Sequence, residues 1–419
     1  MLLKNIFNNT NSKFKIYQLR VYFSKWQLAD YGIAWILFFS IFFQKFAPIG
    51  LGLILISTIY NRLSWKRVKF IQLCLKGPIS WFILYYLLLL LGMLWSQNLN
   101  FGYTKLENKL TFILFPFLFS FSNITLKIPD WKNIFLFSLF FTLFTYECIA
   151  SVKFLFYTDF DTWCFIDSPF IFFMHRSYFA CYLVIGVILI FEKTKQEVNI
   201  LNLFLIIFFT TGIFQSGSKS GTLCLFVVFL VYAGIFFLKY SKKYILLLIS
   251  ALLFLLGYLF FTNNLIKSRF ELTAHTLKNF KVKENTSIES NMARLIMWNT
   301  SIEVWKEQFV FGVGTGDYDD VLTNKNIEFK NTGVSKERLN SHNQFLNTGV
   351  QLGIIGFLVL LMIFISSWLI KPNSTWRNLI LIVFFINFQV ESFLETQAGI
   401  VLFCVLLILF FTPKKDVIL

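Results

Sequence analysis

Ser341-His342-Asn343-Gln344-Phe345, running on through Gly349, Gly353 and Gly356 to Leu361, joins a polar pair to a long apolar run. Glycines recurring near helical spacing strip side chains from one face, so a second helix can approach closely, as small-residue faces allow in membranes. His342, one of three histidines in the chain, is therefore expected where a lipid-embedded helix meets a polar loop.

The composition around that stretch agrees. Of 419 residues, 57% are hydrophobic and only 14% charged, with mean hydropathy +0.66. A soluble domain is about half apolar and about a quarter charged, so the chain reads as an all-α, polytopic membrane protein. The net charge of +16 does not indicate a nucleic-acid partner. Its Lys and Arg residues punctuate apolar segments and do not cluster with stacking aromatics on a soluble domain. The cysteines lie mostly within apolar segments and show no metal-ligand spacing; Cys148 and Cys164 are placed to allow one bridge at the outer face.

Taking roughly 20 apolar residues per span, fewer where helices are short, candidates fall at 31–45, 47–60, 78–95, 109–122, 133–150, 171–191, 200–215, 221–238, 244–262, 345–369, 377–391 and 398–412. About twelve spans at that length divide the chain into a cytoplasmic tail (1–30), helices one to nine (31–262), a large outer loop (263–344), helices ten to twelve (345–412) and a second tail (413–419). Residues 1–30 carry Lys4, Lys13, Lys15, Arg20 and Lys25 without an early apolar core, so they read as a tail and not a cleaved leader. Alternate short loops hold Arg62, Lys66, Arg67, Lys193, Lys242, Lys243 and Lys371. The positive-inside rule puts those loops in the cytoplasm and the long loop outside.

Within the long loop, Ser290 or Asn291 can cap a helix whose Leu295, Trp298, Ile302, Trp305 and Phe309 recur at helical period, an apolar face suited to the membrane surface. Gly312-Val313-Gly314-Thr315-Gly316 then forms a flexible turn. No Lys-Ser/Thr follows it and no strand precedes it, so it is not a nucleotide loop. Asp159-Phe160-Asp161 and Asp317-Tyr318-Asp319-Asp320 hold carboxylates of the type divalent cations use, but a run alone fixes no coordination geometry. The expectation is that no metal and no cofactor take part.

With that topology four groups gather at the outer face: Arg176 in His175-Arg176-Ser177-Tyr178, Lys219 in Ser216-Gly217-Ser218-Lys219-Ser220-Gly221, Arg294 and His342. Each also has a plain reading. Arg176 can snorkel to headgroups, Lys219 can be a turn residue, Arg294 a solvated helix residue, and His342 a helix-entry residue bonded to backbone. Their coincidence on one side, beside the large loop, favours chemistry. Cations aimed at a phosphate leaving group stabilise the charge that develops there. An imidazole, whose ordinary pKa is about 6.5, can take a proton from a weakly nucleophilic hydroxyl.

The order His342-Asn343, an apolar run and Gly353-x-x-Gly356 resembles the signature of the O-antigen ligase and polymerase superfamily, bacterial membrane enzymes that move glycans off a polyprenyl-diphosphate carrier. Ser216-Gly217-Ser218-Lys219 is similar to that family's Ser-x-Ser-Arg turn, with Lys for Arg; charge is kept and bidentate geometry lost. Trp95-Ser96-x-Asn98 with Lys105-Leu106-Glu107-x-Lys109 also resembles its first outer loop, as found in ligase-like members. The resemblance implies an integral-membrane glycosyltransferase of the lipid-sugar-using C class in the inner membrane, working without metal and with its site facing the periplasm. It further implies an undecaprenyl-diphosphate-linked glycan donor, a lipid A-core or other glycan acceptor, and membrane lipid as partners. Arg176, Arg294 and Lys219 would bind the diphosphate; His342 would be catalytic, with Asn343 in support. A polymerase, a protein O-oligosaccharyltransferase and, from another class, a polysaccharide or lipid transporter remain alternatives. Glu391 and Glu395 are acids able to orient His342 or an acceptor, with no assigned role.

Overall fold

The computed structural model describes residues 26–60, 77–121, 128–157, 161–194, 199–239, 283–286, 288–370 and 374–411, and every regular element among them is helical. The helices are α1 (Leu28–Phe42), α2 (Ala47–Tyr60), α3 (Pro78–Gly92), α4 (Leu99–Lys109), α5 (Thr111–Phe121), α6 (Ile128–Phe156), α7 (Arg176–Thr194), α8 (Ile200–Gln215), α9 (Lys219–Lys239), α10 (Ser290–Glu307), α11 (Tyr318–Glu328), α12 (Thr332–Lys336), α13 (Gln344–Trp368), α14 (Thr375–Val390) and α15 (Gln397–Phe411). Among the described residues, four helices are long and apolar enough to cross a membrane, namely Pro78–Trp95, Asp130–Phe156, Arg176–Thr194 and Gln344–Trp368, and shorter apolar helices accompany them. The expected span at 244–262, most of the basic loops, and residues 263–282 of the long loop lie outside the described residues. The expected span at 109–122 resolves into the end of polar α4 and the eleven-residue α5, with Pro116 inside it.

At the centre stands α7, whose residues from Ser177 through Ile190 are all buried. A helix apolar on every side belongs in the middle of a bundle, and α7 packs against α6, α8, α9 and α14. Its neighbours approach through small residues: a Cβ on Gly186 would lie 2.7 Å from Leu139, and one on Gly221 would lie 2.5 Å from the Cβ of Ala180.

The glycines of α13 serve a different purpose from the helix-to-membrane-helix face expected of them. Gly353 leaves helical geometry altogether, at φ 65 and ψ −161, a region open essentially to glycine. The break releases backbone groups, and the turn that follows α10 takes them up. Ile354 N donates to Phe309 O (2.8 Å), while Val313 N and Gly314 N donate to Val350 O (2.9 Å) and Gln351 O (3.1 Å). Thr315 continues the seam onto α3, its N donating to Gly92 O (3.3 Å) and its hydroxyl to Leu89 O (2.7 Å). The Gly312–Gly316 turn is thus a tied buttress and not a flexible hinge. Gly349 makes room for the Trp305 indole, 2.6 Å from where its Cβ would stand.

Two further expectations change. Helix α10 buries a second face, Met292, Ile296, Met297 and Val304, and leaves Ile302 and Phe309 of the apolar face expected at the membrane surface exposed. Its cap is Glu289, whose carboxylate accepts from Asn291 N and Met292 N; neither Ser290 nor Asn291 has that role. Cys148 and Cys164 are free thiols, and the Cys164 thiol donates instead to Ala150 O and Asp161 O.

Replacing Gly353 with Ala should cost about 1–3 kcal/mol in backbone strain alone, before counting a Cβ set 2.1 Å from Val310 O. Thermal unfolding in detergent should show a lowered midpoint for Gly353→Ala. Gly52→Ala, with nothing within 4 Å of its Cβ, should be neutral or stabilising by about 0.4–1 kcal/mol.

Candidate active site

The segment joining α14 to α15 lies beside the entry to α13, and polar contacts tie the two together. Ser392 Oγ donates to Asn340 Oδ1 (3.1 Å), Asn343 Nδ2 to Gln389 Oε1 (3.3 Å) and Leu394 N to Gln344 Oε1 (2.6 Å), while Asn347 Nδ2 donates to Glu395 Oε1 (3.0 Å). Asn343 is the N-cap of α13, its Oδ1 accepting from Phe345 N and Leu346 N, as Asn does well at that position. His342 sits just before the cap with φ 44, held by its own N–H to Asn340 Oδ1 (2.9 Å) and by Trp298 Nε1 donating to its carbonyl (3.3 Å). A left-handed non-glycine residue bound on both sides is a position the surroundings over-determine.

Glu391 is the point where the predicted residues meet. Its Oε1 accepts from Arg294 Nη2 (2.7 Å) and from Ser177 Oγ (3.1 Å), and its Oε2 lies 3.5 Å from His342 Nδ1. Arg294 is fixed further by Nε to Val390 O (3.1 Å) and by Nη1 to the Ser290 carbonyl (3.2 Å) and hydroxyl. Arg176, next to Ser177, pairs with Asp167. Lys219 donates to Asn291 Oδ1 (2.7 Å), on the turn of α10 that also carries Arg294. Lys219, Arg294 and His342 therefore lie along the first turns of α10, with Arg294 and His342 joined through one carboxylate, and Arg176 stands beside Ser177, which bonds that same carboxylate. Burial pushes the Glu391 carboxyl up, but His342 beside it and the charges of Arg294 and His175 outweigh that and hold it at about 2.

Sequence reasoning left Glu391 without a role and did not see Asp167. Both are acids in otherwise apolar surroundings, which was the available signal, because a carboxylate at such a place needs a cation.

Below Glu391, Glu395 anchors the same segment. It meets Lys109 Nζ at 2.6 Å and Lys105 Nζ at 3.0 Å, and accepts from the Tyr318 hydroxyl at 2.7 Å. Lys109 is fully buried. Burial raises the Glu395 carboxyl, yet the two lysines and Tyr318 bring it to about 2. The acidic run beside Tyr318 is equally committed. Asp317 accepts from Gln97 N and Asn98 N, Asp320 from Asn98 Nδ2, and both Asp319 and Asp320 pair with Arg338. Those carboxylates fasten the outer unit to the start of α4. Among the described residues, no group of three or more His, Cys, Asp or Glu side chains is gathered as a metal would need. Asp159 and Phe160 lie outside them.

The family model described as O-antigen ligase matches residues 203–361, a stretch that holds Lys219, Arg294, His342 and the glycine break. Over that stretch, somewhat more than a third of its length, the chain is similar to the O-antigen ligases. It is also similar to an uncharacterized protein of Haemophilus influenzae, 24% identical over 351 residues, covering 79% of this chain and 81% of the relative. The match supports a ligase- or polymerase-like role in glycan processing, with glycan and lipid-linked substrates in general. The apolar helices, together with that match, mark the chain as an integral membrane protein.

A carboxylate held at about 2 against an ordinary value of about 4.3 stabilises the fold fully above the ordinary value and loses that contribution as pH falls through the depressed one. Between pH 5 and pH 2, thermal stability should therefore fall more steeply for the natural protein than for Glu391→Gln, since Glu395 contributes equally in both. Parallel curves over that window would remove the charge linkage assigned to Glu391.

Proposed function

We propose that this protein is an O-antigen ligase-like glycosyltransferase, moving a glycan from undecaprenyl diphosphate to an outer-leaflet acceptor, lipid A-core in the first instance. The observation that carries this reading is the Arg294–Glu391–His342 arrangement, in which a fixed cation and an imidazole share one carboxylate. Arg176 and Lys219 support it. Each is the first residue of its helix, where the helix dipole disfavours a cation and favours an anion. Two cations held at such positions beside Arg294 suit a diphosphate.

In the proposed reaction the acceptor hydroxyl oxygen attacks the anomeric carbon of the carrier-linked sugar. The bond from that carbon to the diphosphate oxygen breaks, and its electron pair leaves with the diphosphate. Arg294, Arg176 and Lys219 meet the charge that develops there, in positions set before the reaction begins. In this scheme the hydroxyl proton passes to His342 Nε2, and Nδ1, 3.5 Å from Glu391 Oε2, carries the imidazole's own proton. His342 then returns the proton to solvent. The bond energy resides in the lipid donor, so the scheme calls for no nucleotide and no metal. The positive-inside pattern of the short loops supports a periplasmic position for this site.

A deletion strain tests the assignment. Loss of a ligase should leave full-length polymer on undecaprenyl diphosphate and lipid A-core unmodified; lipid A-core bearing single repeats would instead mark a polymerase. In purified enzyme, His342→Ala should reduce transfer by roughly 10²–10⁴-fold, the usual reach of a general base, with the donor still bound. Arg294→Lys should also be impaired through loss of bidentate phosphate contacts. Full activity in His342→Ala would rule out its role.

A further inference from the structure

The turn between α10 and its buttress exposes Phe309 (53%), Val310 (48%) and Phe311 (62%), beside Leu94 (80%) and Trp95 (41%). Trp95 and Phe311 rings stand 6.2 Å apart, so the two stretches form one patch. A soluble surface seldom shows such a run of large apolar side chains. The charged side chains just before it are paired among themselves or with α11, Lys306 to Glu303 at 3.0 Å and Lys325 to Glu307 at 2.8 Å. Charge therefore ends at Glu307, with Gln308 between it and the apolar patch.

The depth of this patch follows from α13. Helix α10 descends parallel to it: Trp298 bonds at His342, Trp305 packs on Gly349, and Phe309 O meets Ile354 N. The 25 residues of α13 form two helical pieces that meet at Gly353; taken as collinear, they extend roughly 37 Å at 1.5 Å per residue, whereas the hydrocarbon core is about 30 Å thick. Counted from Trp368, taken as the far interface, the core ends near Gly349, level with Trp305. Interfacial Trp residues occupy that height. The turn packed on Gly353 then lies roughly 6 Å below the edge, and the start of α13 roughly 8 Å above it, within the headgroup layer.

We propose that Phe309-Val310-Phe311, with Leu94 and Trp95, is a wedge inserted among the acyl chains of the leaflet on the side of the candidate site, and that it holds Arg294 and His342 at the depth of lipid phosphates. The second half rests on the proposed use of a lipid diphosphate; the insertion does not. The wedge and Arg294 are opposite ends of one helical unit, so the height of one fixes the height of the other.

Fluorescence quenching tests the insertion without turnover. Val310→Cys, in a Cys74→Ser, Cys148→Ser background whose other cysteines are buried, is labelled with bimane and reconstituted in phosphatidylethanolamine–phosphatidylglycerol vesicles. The label at 310 should lose most of its fluorescence to doxyl-labelled lipid and little to aqueous iodide. A label at exposed Lys336→Cys should show the reverse. Phe309→Asp with Phe311→Asp should return the label at 310 toward iodide. Iodide quenching at 310 as strong as at 336 would overturn the wedge, and so would protection from both quenchers, which would mean a protein surface covers it. A preserved quenching pattern in an enzyme that ignores lipid-linked donors would count against the proposed reaction and leave the insertion standing.

Discussion

Backbone amides and carbonyls beside lipid have no water to turn to, so a break in a membrane helix survives only where other protein groups take up what it frees. The break at Gly353 meets that condition through Phe309, Val313 and Gly314, whose backbone groups pair with Ile354, Val350 and Gln351. This seam fastens α10 to α13 and carries on to α3 through Thr315. Without it, Arg294 and His342 would belong to separate pieces of chain. The outer helix is therefore part of the membrane helix's own hydrogen bonding.

Two acids four positions apart do the rest. Glu395 is sunk among Lys105, Lys109 and Tyr318, and breaking a buried pair of that kind typically costs about 3–5 kcal/mol because a charge is left without its partner. That anchor secures the short 310 turn, and Glu391 at its start reaches Arg294, Ser177 and His342. Residues separated by more than two hundred positions are thus aligned by one rigid segment between α14 and α15. Each arginine of the site has a carboxylate, Arg176 with Asp167 and Arg294 with Glu391. The proposed diphosphate would therefore compete with carboxylates, not with water alone.

The sequence made the helical class plain because apolar runs and sparse charge leave few other folds. The site cations were legible because charged residues in such a chain are few and their places conspicuous. The polar stripe of α13, with Gln344, Asn347, Thr348 and Gln351 all fully buried, was hidden by the apolar average of its helix. The roles of Glu391 and Glu395 depend on partners in α4, α10 and α13, a long-range geometry that local pattern does not encode. The glycines of α13 were read as a packing face from their spacing, whereas only a backbone angle shows that Gly353 breaks the helix. The second, buried face of α10, with Met292 and Ile296, was not legible because tertiary neighbours and not apolar periodicity chose it.

If Glu391 holds both the phosphate-binding arginine and the imidazole, removing its charge should divide binding from chemistry. The measurement is the binding isotherm of undecaprenyl diphosphate set beside the single-turnover transfer rate, for the natural protein and for Glu391→Gln. Binding should be retained or tightened in the variant, since Arg294 loses its competing carboxylate, while transfer falls by roughly 10²–10⁴-fold as His342 loses the negative charge 3.5 Å from its Nδ1. Binding and transfer left unchanged, or lost in equal proportion, would contradict the shared carboxylate as the centre of the site.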